Sequence, residues 1–195
     1  MKKYLLLILL SAATLARAEE NKATHDELRA LRDRLLPALN KGDLETMVSQ
    51  LATNCVVTWQ NGEVSRGRDG FRSYYNRMMT APGHIVESFS TSVKVDELTI
   101  LYGDNTGIAF GSSDDHFKLK GGLDVPLKDR WTATLVKENG RWLIAAIHTS
   151  ANVFDNPLLA GAKRLTVIAA VVTGIAGLLV GWLIGGRGKG KPGSQ

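Results

Sequence analysis

An α+β domain, with helices gathered on one face of an antiparallel sheet and followed by a single membrane-crossing helix, is the fold these 195 residues predict. Three observations predict it. Apolar residues recur at helical spacing in the first part of the chain, and from His84 onward the chain alternates as strands between Gly, Asn and Asp turns. "LTVIAAVVTGIAGLLVGWLI", Leu165 to Ile184, runs 20 residues without a charge. Helices first and strands afterwards is the order of an α+β domain. At 1.5 Å per residue the uncharged run makes about 30 Å of helix, enough to cross the hydrocarbon core of a bilayer.

The chain begins with a second apolar run of a different kind. Lys2 and Lys3 precede "LLLILL", and Ala16-Arg17-Ala18 follows as a small-x-small cleavage site. That pattern reads as a secretory signal peptide, too short to span. The later segment spans because eleven of its residues are Leu, Ile or Val, together worth roughly −3 to −7 kcal/mol of insertion. The predicted order is a signal peptide over 1–18, an exported domain over 19–156, a juxtamembrane linker over 157–164, a transmembrane helix over 165–186 and a basic tail over 187–195. The expected location is the cell inner membrane, crossed once, with the domain periplasmic and the C-terminus cytoplasmic.

The charge follows this division. The whole chain is net +5, but between Glu19 and Ala162 only 16 basic residues face all 19 acidic ones, so the exported part is net −3. The basic excess belongs to targeting and anchoring segments, and a nucleic-acid partner is not expected. Cys55 is the only cysteine and lies in the apolar run "CVVTW", which excludes an intramolecular disulfide and reads as a buried thiol.

Thr24 and Glu27 form a capping box that predicts a helix start, after which Leu28, Leu31, Leu35 and Leu39 recur on one face, with a kink expected at Pro37. Asn40, Lys41 and Gly42 end that helix, and Asp43 caps a short second one through "LETMVSQLA". "NCVVTWQNGEVSRG" predicts two short strands. Phe71, Tyr74, Tyr75 and Met78 then share one face of a third helix that stops at Pro82-Gly83. The strand run closes with "VKENGRWLIAAIHTS", a hairpin turning on Asn139-Gly140, the pair suited to a type I′ turn.

"NKGDLETMVSQLATNCVVTWQNGEVSRGRDGFRSYY" and "DRWTATLVKENGRWLIAAIHTS" resemble the opening and the closing Trp-bearing hairpin of the nuclear transport factor 2-like superfamily, in its SnoaL-like (polyketide cyclase-like) branch. The resemblance covers residues 25 to 156. It implies a cone-shaped, strongly bent antiparallel sheet wrapped on the N-terminal helices around an apolar pocket, in a homodimer. It does not fix a function, since isomerases, dehydratases, cyclases and assembly domains share the fold.

Carried over residue by residue, the resemblance places the isomerase tyrosine on Leu35, the carboxylate base on Trp59 and the second oxyanion donor on Thr132. Leu35 and Trp59 cannot take a proton, so steroid isomerase chemistry is not expected, and no catalytic residue is assigned. Simple pairing across the turn sets Ile147 opposite Thr132 and His148 opposite Trp131. The pocket implied is lined by Leu35, Trp59, Tyr75, Thr132, Thr134, Ala145, Ile147 and Thr149, without a carboxylate at its floor. His148 then points away, and one bulge would reverse the faces. "DDHF", Asp114 to Phe117, reads as a solvated turn, and Arg66, Arg68 and Arg72 read as an exposed face. No metal or cofactor is expected.

In the membrane helix Ala169, Thr173, Gly177, Gly181 and Gly185 follow at intervals of four, the spacing that lets two helices approach closely. Two functions fit. The first is a membrane-anchored exported module that binds a small apolar ligand or a peptide, or serves in assembly. The second is an enzyme of the cyclase, dehydratase, isomerase or hydrolase kind acting on a small apolar substrate, with Tyr75, Tyr74 or His148 as available groups. Two or more ionisable groups within hydrogen-bond reach of one another in the cavity favour the second.

Overall fold

The computed structural model describes residues 2–187, with side chains from 21 to 184. The side chains of the expected signal peptide, Gly185 and the tail beyond Arg187 lie outside the described residues. The chain divides into two compact units that meet between Asn152 and Val153.

The first unit holds α1 (Lys2–Lys41), α2 (Leu44–Ser49), β1 (Leu51–Thr58), β2 (Val64–Arg66), α3 (Gly67–Met79), β3 (Val86–Val95), β4 (Ile100–Leu101), β5 (Thr106–Leu119), β6 (Asp124–Glu138) and β7 (Arg141–Ala151). The helix expected to start at Thr24 instead continues through it, so the capping box caps nothing. The physical reason is local: "RAEENKA", residues 17–23, contains only residues that tolerate a helix interior, and nothing there competes with propagation. Glu27 turns outward to pair with Lys137 at 2.7 Å. Pro37 sits inside α1, where it leaves the Asp33 carbonyl without its helical donor.

Gly42 ends α1 because the chain there needs a left-handed residue, φ 69°, and because a Cβ would lie 2.8 Å from the Tyr75 hydroxyl oxygen. Asp43 then caps α2, its carboxylate accepting from the Thr46 amide at 3.1 Å and the Thr46 hydroxyl at 2.7 Å. Those hydrogen bonds hold the Asp43 carboxyl below its ordinary range.

The sheet is strongly curved, in the order β2-β1-β7-β6-β5-β3, with β4 added beside β5. It is mixed rather than wholly antiparallel, since β1 pairs parallel with β7. The path from β1 to β7 runs through the whole domain, which gives the connection the length a parallel pair requires. Core side chains from α1, α2, α3 and the inner sheet face pack together, among them Leu28, Leu31, Met47, Val48, Leu51, Cys55, Val57, Phe71, Leu135, Trp142 and Ile144. Each large apolar side chain buried there contributes about 1.5–3 kcal/mol. Burial also pushes the Cys55 thiol up, away from the reactive thiolate.

The last hairpin departs from simple pairing. Glu138 opposes Arg141 and Leu135 opposes Ile144, but the next pair is Thr134 with Ala146. Ala145 is therefore an extra residue on β7. The bulge lets β7 keep Trp142 and Ile144 inward near the turn and then set Ile147 and Thr149 inward further along, which strict alternation forbids.

The second unit is built on α4 (Pro157–Arg187), so the expected linker over 157–164 is helical and continuous with the apolar run. Pro157–Ile184 is long and apolar enough to cross a membrane, the one such helix among the described residues. Thr173 donates its hydroxyl back to the Ala169 carbonyl at 2.8 Å, which satisfies its polar group within the helix. A Cβ on Gly177 or Gly181 would meet nothing within 4 Å, so that face of α4 is open.

Candidate functional site

The inner face of the curved sheet, α1 and α3 enclose a cavity of about 820 Å3. Its character comes from the sequence. α3 brings Phe71, Tyr74, Tyr75 and Met78, the face read from the sequence, while α1 brings Leu28, Leu31, Leu35 and Leu39, and β3 brings Phe89, Val93 and Val95. At one end Trp59 lies flat on Tyr74, ring centroids 4.1 Å apart and 9° between planes, with Phe71 tilted against it at 5.2 Å. Trp59 donates its indole N–H to the Ser65 hydroxyl at 2.8 Å, which fixes the ring. Arg77 covers the far side of Tyr74 at 5.3 Å and pairs with Glu63. Burial raises Tyr74 and Tyr75, so both are neutral phenols. Tyr75 donates to the Gly42 carbonyl at 3.3 Å.

Of the residues expected in the pocket, Leu35, Trp59, Tyr75, Ile147 and Thr149 line it. Thr132, Thr134 and Ala145 do not. Thr132 and Thr134 pair with His148 and Ala146 on the outer face, and Ala145 is the bulge. The inner face of β6 instead carries Trp131, Ala133 and Leu135. Burial decides between the faces, because turning the threonines inward would bury two hydroxyls and expose an indole and a leucine. His148 does point away from the cavity, but it lies opposite Thr132, not beside Trp131.

The expectation of a floor without carboxylates is overturned. "DDHF" is no turn: it lies in the middle of β5, where Asp114 and His116 are exposed and Asp115 is only 6% exposed. Asp115 lines the cavity. Ser113, two residues before it, pairs with Asp129 of β6, so Asp129 comes to the same inner face, diagonal to Asp115, and is 2% exposed. Gln60, from the turn after β1, donates from its single Nε2 to Asp115 Oδ2 at 2.9 Å and to Asp129 Oδ2 at 3.0 Å. Thr91 of β3 donates its hydroxyl to Asp115 Oδ1 at 2.6 Å. Asp129 Oδ1 is buried with no hydrogen-bond partner. The Asp115 carboxyl is raised above the ordinary range, first by its burial and then by Asp129, against the lowering effect of Thr91.

Thr91 is itself held. The Asn40 amide of α1 donates to the Thr91 carbonyl at 3.0 Å and accepts from its N–H at 2.8 Å, copying a strand partner along the open edge of β3. Among the described residues no group of three or more His, Cys, Asp or Glu is placed to hold a metal ion. Two arginines of "RGRDGFR" serve the fold: Arg68 donates twice to the Leu51 carbonyl, at 3.0 and 2.7 Å, and Arg72 pairs with Glu45 and Asp69, while Arg66 is exposed.

Arranged in this way, the cavity offers a flat aromatic wall, long apolar sides and, on its sheet face, the buried Asp115 carboxyl held by Gln60 and Thr91. Sequence reasoning missed that spot. The strand period carried a signal for it, since Asp115 alternates with Gly111, Ser113 and Phe117, and Asp129 with Trp131, Ala133 and Leu135.

Among curated proteins, no sequence matches the chain. Solved structures resemble it in fold. A hexachlorocyclohexane dehydrochlorinase (LinA-type3) from Novosphingobium barchaimii is similar with a TM-score of 0.60 at 12% identity, covering 69% of this chain and 90% of that one. A ketosteroid isomerase-like protein from Erwinia carotovora atroseptica gives 0.55 at 17% identity, over 63% and 92% of the two chains. A protein of unknown function from Shewanella oneidensis, described as like nuclear transport factor 2, gives 0.52 at 20% identity, over 64% and 97%. The model of the SnoaL-like domain matches residues 33–145, more than half of the chain, all of them within its first unit. The curved sheet, the helices across its concave face and the cavity between them are the frame that this match describes, and the chain belongs to the SnoaL-like domain family.

Proposed function

We propose that this chain is an acid–base enzyme for a small apolar molecule with a carbonyl or hydroxyl group, anchored to the membrane by α4 with its first unit exported. The observation that carries the reading is Asp115, the buried carboxyl among the residues that line the cavity, whose other acidic groups, Glu87, Asp96 and Glu97, are exposed. A binding module needs apolar walls and an anchor point. A carboxyl raised by burial in addition keeps its proton to higher pH than a free one, so it can give a proton as well as take one. Similar folds in proteins described as a dehydrochlorinase and a ketosteroid isomerase-like protein support the enzyme side of the choice. The chemistry here would differ from that of the isomerase, because Leu35 and Trp59 occupy the positions that the resemblance assigns to its tyrosine and base.

The test uses the full chain in detergent micelles and β-tetralone, a flat bicyclic ketone, in deuterated water. Loss of the α-hydrogen signal by proton NMR should run faster with the protein than with micelles alone. Asp115→Asn should slow the protein-dependent rate by about 10²-fold, the lower range for a positioned acid–base group. Asp114→Asn, on the outer face, should leave it unchanged. Exchange equal to the micelle blank would sink the acid–base reading and return preference to a binding module.

Anchoring follows from α4 and export from the signal-like N-terminus. Protease added to spheroplasts should digest the first unit and spare the tail; protection of the first unit would reverse the orientation. A homodimer completes the proposal, with the open small-residue face of α4 contributing to association. Sedimentation of the micelle-bound chain as a single copy would rule the dimer out.

A further inference from the structure

We propose that Asp115 and Asp129 hold one proton between them as a single acid–base unit, in which Asp115 faces the cavity and Asp129 and Gln60 are positioning residues. The proposal rests on the acid–base reading and names the groups behind it. Geometry carries it. Both Oδ2 atoms accept from one amide nitrogen, at 2.9 and 3.0 Å, so the two carboxyls are held close together, Asp115 on the cavity wall and Asp129 buried next to it. Two like charges so placed in a region of low dielectric disfavour each other strongly, and a shared proton relieves this.

The supply of donors agrees with one charge rather than two. The carboxyl oxygens receive two hydrogens from Gln60 and one from Thr91, with the Ser113 hydroxyl also beside Asp115. Asp129 Oδ1 receives none and is buried. A fully ionised buried carboxylate needs its lone pairs occupied or a cation beside it. No ion pair reaches either aspartate among the described residues.

The side chains that bond to the pair or lie opposite it are neutral, Ala151 of β7 opposite Asp129 included. β3 offers the Thr91 hydroxyl, the turn after β1 the Gln60 amide, β5 the Ser113 hydroxyl and β6 the Leu127 side chain opposite Asp115. The charged group facing each aspartate is the other aspartate. His25, Arg29, Arg32, Lys41, Glu87, Asp96 and Glu97 line the same cavity, but none of them pairs with either carboxyl. Gln60 is suited to its place because one NH2 group supplies two hydrogens that diverge, one for each carboxyl. Asparagine would be one methylene too short, and glutamate would bring a third negative charge.

The pair therefore loses its two protons in separate steps that belong to both residues. Between the steps it is a monoanion, able to accept a proton on one oxygen while donating from another. A substrate oxygen near Asp115 meets a donor, and a carbon-bound hydrogen beside it meets a base.

The test is a titration of the full chain in micelles, with aspartate labelled with carbon-13 at the carboxyl and read by NMR. The Asp115 and Asp129 signals should each show the same two steps. In Asp129→Asn the Asp115 signal should show a single step at lower pH than the upper step of the parent. Gln60→Met removes both donated hydrogens, which favour the ionised forms, and should move both steps to higher pH. Should Asp129→Asn fail to fold, as judged by its amide spectrum, Asp115→Asn read at the Asp129 signal serves in its place. One step at each residue, indifferent to replacement of the other, overturns the proposal, as does a pair fully ionised at low pH in a single event. Two coupled steps with no ketone exchange would leave the pair standing and remove its proposed use, so the two readings fail separately.

Discussion

Gly111→Val should lower the stability of the first unit by about 1–3 kcal/mol or more, the cost of forcing extra atoms into a packed interior. Gly111 lies on the inner face of β5, opposite Trp131 of β6 and Val95 of β3. Any Cβ there would collide with the Lys94 carbonyl oxygen and sit 2.8 Å from Cζ2 of the Trp131 ring. The first obstacle is backbone of an edge strand and cannot rotate away. The second is an indole pinned by its N–H, which donates to the Ser112 carbonyl at 3.1 Å. Relief would require β3 to separate from β5, and with it Thr91 from Asp115. Gly70→Ala is the informative contrast. Gly70 lies in α3, the nearest atom to its Cβ would be 3.6 Å away, and the substitution should stabilise by roughly 0.5–1 kcal/mol. Urea denaturation of the full chain in micelles, followed by tryptophan fluorescence, reads both. A midpoint for Gly111→Val equal to that of the parent would show that the close packing of β3 on β5 is not what requires the glycine.

The parts of this structure that were legible in the sequence are those written in local patterns. The α3 face of Phe71, Tyr74, Tyr75 and Met78 is a helical period, and all four residues reach the cavity. The Asn139-Gly140 turn sets the hairpin because both residues adopt positive φ, 50° and 74°. One error in the pocket began five residues past that turn. Nothing in "RWLIAAIHTS" marks Ala145 as a bulge, since small apolar residues fit a bulge or a regular strand equally well. The resemblance had independently set Thr132 and Thr134 inward, although Trp131, Ala133 and Leu135 on the alternate positions indicated the buried face, and the shift at Ala145 is why Ile147 and Thr149 line the cavity all the same.

The carboxyl pair was hidden for a different reason. Asp115 and Asp129 are 14 positions apart, and only the register of β5 on β6 sets them diagonal. Gln60 is further still, and its role depends on the curvature that folds the end of β1 over the sheet. A local reading weighs Asp114-Asp115-His116 as three polar residues in a row and calls them solvated. Alternation was the available correction, because it puts one of the three inside whenever the segment is a strand with a buried face. In physical terms, buried polar groups are specified by partners that are distant in sequence, whereas apolar faces are specified by their own period.

Asp115→Asn should make the first unit more stable at neutral pH, while it slows the protein-dependent ketone exchange by about 10²-fold. The sign follows from linkage. In the folded chain the Asp115 carboxyl is raised, chiefly by burial, so the native state holds its proton more tightly than the unfolded chain does. Stability from that source is complete below the unfolded value, about 3.9, and is lost as pH rises through the folded one. Asparagine does not ionise, so it keeps what the aspartate loses. Its amide can also use the same partners: the carbonyl oxygen accepts from Gln60, and the NH2 donates to the Thr91 hydroxyl, which accepts as readily as it donates. The parent and variant should therefore have equal denaturation midpoints near pH 4 and diverge above it. The gain at neutral pH should be about 0.5–2 kcal/mol, the usual size of a single stabilising change. A purely structural aspartate predicts the opposite, a variant weaker at every pH through loss of its hydrogen bonds. A gap that widens with pH in favour of the variant, with exchange slowed, is the signature of a carboxyl kept at the expense of stability for what it does in the cavity.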